Sequence, residues 1–228
     1  MEMRDLPRSP RVEAGVKAGA KRIFMLYNPV MATNKAELST HRIEALTDGI
    51  FAFAMTLLII SFDIPTTLKG IDAGSLIMSQ SDKLFNYFLS FALLAIFWLV
   101  NNQISHHIRK TDAIHLWLNI ITLMFVVFIP FSASLISAHP DKTAGEFFFA
   151  LNVFLVSLST QLGWVYAAQD RRLICEESED EHLWRGVKSG WISPVVSGLA
   201  MIMAFIEPKL CSYMYFAIPV ILWMPWFK

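Results

Sequence analysis

The chain has 228 residues, of which 55% are hydrophobic and 17% are charged. Soluble domains usually contain about 45–50% apolar residues, so this composition excludes an ordinary soluble fold. Its 19 basic and 19 acidic side chains cancel. A neutral chain has no general attraction for polyanions, and we expect no nucleic-acid partner.

Six apolar stretches follow one another along the chain, each near the roughly 20 residues that an α-helix needs to cross a bilayer. They lie at about 40–63, 84–107, 113–138, 145–169, 188–206 and 210–227. We therefore predict an all-α, polytopic membrane protein with a six-helix transmembrane domain over 39–228. A polar loop is expected over 66–82, and residues 1–38 are predicted to be a poorly ordered cytoplasmic tail.

The basic residues are distributed unevenly across these six spans. Six spans put both termini on one side, and that side holds 15 of the 19 Lys and Arg residues. An excess of Lys and Arg in loops marks the cytoplasmic side of a membrane protein. We expect a multi-pass protein of the cell membrane, surrounded by the lipid bilayer, with both termini in the cytoplasm.

The two cysteines, Cys175 and Cys211, fall on opposite sides of the predicted bilayer, so no disulfide between them is expected. Neither belongs to a CxxC motif or a Cys/His cluster, and no metal site is predicted. The chain has no GxSxG, HExxH, P-loop or GxGxxG motif. We predict that it is not an enzyme and binds no cofactor.

The first span, within "RIEALTDGIFAFAMTLLIISFDIP" (42–65), has two faces when plotted at 100° per residue. Phe53, Leu57 and Ile60 form an apolar ridge, and Thr56 lies beside it. Three surroundings are open to this ridge: lipid, the core of the bundle, or a symmetry axis shared with other copies.

Asp48 lies on a second stripe of the same helix, together with Glu44, Ala45, Ala52, Met55 and Ile59. Alanines let neighbouring helices approach closely, so this stripe is expected to pack against the chain's own helices. An unpaired carboxylate in a membrane is costly, and Asp48 therefore needs partners. The candidates at the near ends of spans two and three are Asn101, Asn102, His106, His107, His115, Trp117 and Asn119.

The segment "RIEALTDG" resembles the Arg-x-x-x-Phe-Ser-Asp-Gly signature that opens the first helix of the transmembrane protein 175 family. That family comprises endosomal and lysosomal potassium channels with bacterial and archaeal relatives. Leu46 and Thr47 stand where the signature has Phe and Ser. The segments "IFAFAMTLLII" and "FWLVNN…RKTDAIHLWLN" are also similar to the family.

The resemblance implies a homotetrameric potassium channel whose pore is lined by the first helix of each copy. Phe53, Leu57 and Ile60 then form the constriction, and the hydroxyl of Thr56 contributes to a modest selectivity for potassium over sodium. A structural network that fixes the first helix is implied for Arg42, Thr47, Asp48, Asn102, His106, Trp117 and Asn119. Asn101 and Asn102 replace a histidine pair of the family, which puts pH coupling at that position in doubt.

The functional prediction is a cation leak channel with potassium as the permeant ion and a hydrophobic constriction. The chain has no TVGYG segment, so backbone carbonyls are not expected to coordinate the ion, whereas an apolar ring can gate by dewetting. The alternative is a proton-coupled secondary transporter that uses Asp48 and nearby polar residues as a relay. The pairs of broken helices typical of many transporters are not evident in the sequence.

Overall fold

The structure, a computed structural model, describes residues 41–60, 72–138, 143–171, 173–174 and 186–219. The predicted tail over 1–38, Cys175 and the end of the last predicted span lie outside these residues. The described part of the chain is almost entirely helical and has no β-strand, only one isolated bridge between Ile108 and Ile174.

Seven α-helices account for most of the described residues. In chain order they are α1 (His41–Ile60), α2 (Ala73–Ser79), α3 (Ser81–His107), α4 (Ala113–Ala138), α5 (Thr143–Ala168), α6 (Ile192–Ile206) and α7 (Pro208–Met214). Five helical stretches among the described residues are long and apolar enough to cross a membrane, and a shorter apolar one covers Leu210–Pro219. The predicted fold class, an all-α polytopic membrane protein, is confirmed.

Helix α2 lies inside the predicted loop 66–82. The carboxylate of Asp72 accepts a hydrogen bond from the backbone N–H of Gly74 at 3.0 Å, which satisfies one of the free donors at the start of the helix. An N-cap is a local signal that hydropathy does not detect. After α2 the chain passes through one residue, Gln80, into α3.

Helix α5 is the centre of the bundle and packs against α4 on one side and α6 on the other. Its core residues Phe149, Val153 and Val156 are completely buried. Small side chains on α6, including Ala200 and Ala204, are equally buried and allow the close helix approach that membrane bundles favour.

Two polar contacts made by α5 join it to its neighbours. The amide of Asn152 donates a hydrogen bond to the Ser132 hydroxyl of α4 at 3.2 Å. The amide of Gln161 donates to the Val187 carbonyl at 2.8 Å, in the helical turn that precedes α6. A Cβ atom at Gly190 would collide with the end of the Gln161 side chain, so a larger residue there would require the Gln161 amide to move.

A second, smaller apolar cluster closes the end of the bundle where α3 ends and α4 begins. Its buried members are Ile108, Trp164, Ala167, Leu173 and Ile174. The chain turns back after α5 through Asp170 and Arg171, both with positive φ. The N–H of Arg109 then donates to the Leu173 carbonyl at 2.9 Å. This contact ties the connection between α3 and α4 to the segment that follows α5.

Candidate functional site

Helix α1 attaches to the bundle through one narrow stripe. Its buried members are Thr47, Phe51, Ala54 and Leu58, whose spacing of three and four residues keeps them on one side of a helix. Phe51 and Leu58 supply bulk, and Ala54, with no exposed surface, allows close contact. This stripe defines which way the rest of α1 faces.

The ridge predicted from the sequence lies on the opposite side of α1, roughly 130° around from the buried stripe at 100° per residue. Phe53 is 58% exposed and Ile60 is 74% exposed, while Leu57 is half-buried at the edge. The ridge is therefore not part of the core of a single chain. Of the three surroundings left open by the sequence, lipid and a shared axis remain.

Thr56 is exposed beside this ridge. Its hydroxyl donates a hydrogen bond to the Phe53 carbonyl at 2.8 Å. A hydroxyl has one donor and two acceptor sites, so this bond uses the proton and leaves the oxygen lone pairs available. Thr56 can therefore offer a partial negative charge, without a full charge, to a ligand on the exposed side of α1.

The hydrogen-bond partner of Asp48 lies on α3, as predicted, and it is Trp98. The indole Nε1–H of Trp98 donates to Asp48 Oδ1 at 2.8 Å, a short bond of the kind that charged acceptors make. Trp98 was not among the predicted residues, because the candidates were taken only from Asn101 onwards. The signal that could have found it is the indole N–H, which usually requires an acceptor when the ring is packed in a helix bundle.

Thr47 joins α1 to α4 through a second polar contact. Its hydroxyl lies 3.4 Å from Asn119 Oδ1, and the Thr47 side chain is buried. Together with the bond between Asp48 and Trp98, this contact attaches the first three turns of α1 to both neighbouring helices. The structure thus brings together three members of the predicted network: Thr47, Asp48 and Asn119.

The remaining members of the predicted network are exposed in the single chain. They are Arg42, Asn102, His106 and Trp117, and none of them bonds to Asp48 in the described part of the chain. Their neighbours Asn101 and His115 are buried instead. The roles assigned to the four exposed residues remain predictions.

The packing face predicted for α1 needs one correction. Ala45, Ala52 and Ile59, which share the stripe of Asp48, are exposed rather than packed against the chain's own helices. Of the same stripe, Met55 is half-buried and packs against the core, and Glu44 is half-buried. The side chains that pack lie about a quarter of a turn further around the helix. The physical reason is that α1 is apolar on nearly every side, so periodicity alone does not distinguish its packing face.

Comparison with known protein families identifies the region that contains this site. The family model described as endosomal/lysosomal potassium channel TMEM175 matches residues 42–130, from the first turn of α1 into α4. A potassium channel of Chamaesiphon minutus is 25% identical over 173 residues, which cover 74% of this chain and 85% of that protein.

Two further relatives match over shorter regions. A potassium channel of Streptomyces collinus is 30% identical over 101 residues, 43% of this chain and 48% of that protein. The human endosomal/lysosomal proton channel TMEM175 is 32% identical over 117 residues, 48% of this chain and 23% of that protein. The chain thus aligns with less than half of each of these two proteins.

The fold is also similar to solved structures. The crystal structure of a lysosomal potassium-selective channel TMEM175 homolog from Chamaesiphon minutus matches with a TM-score of 0.71 and 24% identity, over 80% of this chain and 95% of that one. A crystal structure of a variant of the potassium channel MtTMEM175 matches with a TM-score of 0.57 and 18% identity.

The fold defines a class, that of multi-pass α-helical membrane proteins with the architecture of the TMEM175 channels. The resemblance to the transmembrane protein 175 family, drawn from the sequence, is confirmed, and its motifs fall within residues 42–130. The family is one of ion channels, which is not an enzyme class.

Proposed function

We propose that this protein is a homotetrameric cation leak channel, modestly selective for potassium over sodium. The α1 helices of four copies surround a common axis, and rings of Phe53, Leu57 and Ile60 form its constriction. The observation that carries this proposal is the exposure of the ridge while the opposite stripe of α1 is fixed in the bundle. Two bacterial relatives that are potassium channels, those of Chamaesiphon minutus and Streptomyces collinus, support it.

The conduction mechanism follows from the chemistry of the ridge. Apolar rings exclude water from a narrow passage, so the pore is closed to ions until a slight widening lets water enter. Thr56 then places a ring of hydroxyl oxygens beside the constriction. Neutral dipoles stabilise a partly dehydrated monovalent cation without binding a divalent ion strongly, which accounts for conduction with modest selectivity.

The orientation in the membrane is part of the same proposal. The protein lies in a cell membrane with both termini in the cytoplasm, because the loops on that side carry most of the Lys and Arg residues. The polar contacts of Thr47 and Asp48 then lie near the cytoplasmic end of α1. The constriction lies deeper in the bilayer, beyond these contacts along the helix.

The experiment that tests the proposal is ion flux through the purified protein in liposomes. We expect Phe53→Ala to raise passive potassium flux severalfold, because a smaller ring is wider and more easily hydrated. The matched control is Phe88→Ala on α3, since Phe88 is exposed to a similar degree. Unchanged flux in Phe53→Ala, or an equal rise in Phe88→Ala, would contradict the pore assignment.

The same assay separates the channel from the transporter that uses Asp48. A channel passes potassium down its gradient in proportion to that gradient, whereas a carrier saturates and couples potassium movement to protons. Among the described residues, Asp48 accepts a hydrogen bond from one donor, Trp98, and a single fixed contact of this kind suits a structural role. Saturable potassium movement that requires a proton gradient would contradict the channel proposal and favour the transporter.

A further inference from the structure

A buried polar cluster lies on the other side of the molecule from α1, where α5 begins and α7 packs against it. Its centre is Glu146, in the first turn of α5, which is only 4% exposed. The Ser212 hydroxyl of α7 lies 3.1 and 3.2 Å from the two carboxyl oxygens of Glu146. Neither the pore proposal nor the family signature involves this cluster.

Glu146 has no cationic partner among the residues that the structure describes. No Lys, Arg or His side chain in the described part of the chain forms an ion pair with it. The ionisable groups beside it are the Cys211 thiol and the Tyr215 hydroxyl. Helix α6 has no ionisable side chain, and α4 has only His115, near its far end. Helix α3 carries Asp82 and Lys83 in its first turn, and α7 carries Lys209.

An ionised Glu146 would lack donors. A carboxylate has about four acceptor sites. In the described part of the chain, the donors beside it are the Ser212 hydroxyl and the Cys211 thiol, a weak donor that also lies 3.3 Å from the Ala200 carbonyl. The start of a helix favours a negative charge, but this effect is several times smaller than the cost of burying an unpaired carboxylate.

A neutral carboxyl group fits the observed geometry. Its O–H can donate to Ser212 Oγ, while the Ser212 O–H donates back to the other carboxyl oxygen. This reciprocal pair explains why one hydroxyl lies almost equally far from both oxygens of Glu146.

We propose that Glu146 is a buried proton-binding site, and that the bound proton fastens α7 to α5 through Ser212. Loss of the proton leaves a buried negative charge with one hydroxyl donor, so the contact between the two helices weakens. The ligand of this site is a single proton. The site is independent of conduction and would stand even if the chain passed no ions.

The direction of the pH dependence follows from proton counting. An unfolded glutamate loses its proton well below neutral pH, whereas the folded chain keeps one more proton at this site. Stability therefore falls as pH rises, until the folded site also loses its proton. In that range the folding equilibrium constant decreases by about tenfold per pH unit, because the two states differ by one proton.

Infrared spectroscopy of the full chain in lipid nanodiscs tests the site directly. At neutral pH the wild type is expected to show the carbonyl stretch of a protonated carboxyl group. This band should be absent in Glu146→Gln and retained in Glu207→Gln. Glu207, an exposed carboxylate directly before α7, serves as the matched control. If the infrared band of the protonated carboxyl group is unchanged in Glu146→Gln, the proposal is overturned.

Stability measured against pH is the second readout. The free energy of unfolding of the wild type should decrease as pH rises. In Glu146→Gln the pH dependence should be weaker, by the contribution of one proton. If Glu146→Gln does not fold, Ser212→Ala keeps the carboxyl group and removes its partner, and the infrared band should then shift in frequency. A band that does not move in Ser212→Ala would contradict the proposed pair.

Discussion

Single hydrogen bonds decide how the first helix is held. The bond from the Trp98 indole to Asp48, at 2.8 Å, is the most direct polar link between α1 and α3. Asp48 is exposed apart from this contact, so part of its charge remains solvated or near lipid headgroups. The bond therefore orients α1 more than it contributes to the total stability.

Replacement of Trp98 by phenylalanine tests this role. The Trp98→Phe variant keeps an aromatic ring but removes the donor, and we expect a loss of about 1 kcal/mol in the free energy of unfolding, typical of one hydrogen bond. Trp117→Phe is the matched control, because Trp117 on α4 is 64% exposed. Chemical unfolding in detergent or bicelles measures both variants. A larger loss in Trp117→Phe would return Trp117 to the network predicted from the sequence.

For single residues, the sequence predicts which kinds of side chain hold α1 but not which pairs of side chains bond. The sequence indicated that Asp48 must bond to a neighbouring helix, and burial cost supports that inference for any membrane carboxylate. Which donor meets it depends on the relative height and rotation of two helices. A shift of one residue turns a side chain by 100°, and it separates buried Asn101 from exposed Asn102.

Long apolar helices were the most predictable elements, because hydropathy and length determine them without reference to packing. The short helix α2 was missed, since its signal is the Asp72 cap. The packing face of α1 was also missed. Its sequence alternates small and bulky apolar residues on several sides, so several faces satisfy the same periodicity.

Two alanines of α1 distinguish these faces experimentally. Ala54 has no exposed surface, whereas Ala52 is exposed. We expect Ala54→Leu to overfill the contact with the bundle and to lower the free energy of unfolding by about 1–3 kcal/mol. Ala52→Leu is the matched control and should change it by less than about 0.5 kcal/mol. The reverse order would mean that the stripe shared with Asp48 is the one that packs.

At the scale of the whole molecule, a single chain leaves much of its apolar surface uncovered. Exposed large side chains occur on α3, α4 and α6 as well as on α1, and most of them suit contact with lipid. Lipid tails are as apolar as these side chains, so burying them against another copy gives no hydrophobic gain. Assembly must therefore rest on shape and polar contacts, and in the proposed channel the side of α1 opposite its buried stripe supplies that shape.

Cross-linking between copies distinguishes a shared axis from lipid contact. Ile60→Cys places a thiol on the ridge, and we expect oxidation in the membrane to give a disulfide-linked dimer on a non-reducing gel. A disulfide requires the two Cα atoms to come within about 7 Å, which symmetry-related ridges around a narrow pore permit and lipid-facing ridges do not.

Two comparisons make this result decisive. Ile202→Cys on α6 is the matched control for random collisions, because Ile202 is 60% exposed and Ile60 is 74% exposed, and we place it outside the pore. The unmodified chain, with Cys175 and Cys211, measures the background. Equal cross-linking at both positions would show that the ridge has no preferred partner, and the tetrameric pore would then have to be abandoned while the fold and the network at Asp48 remained.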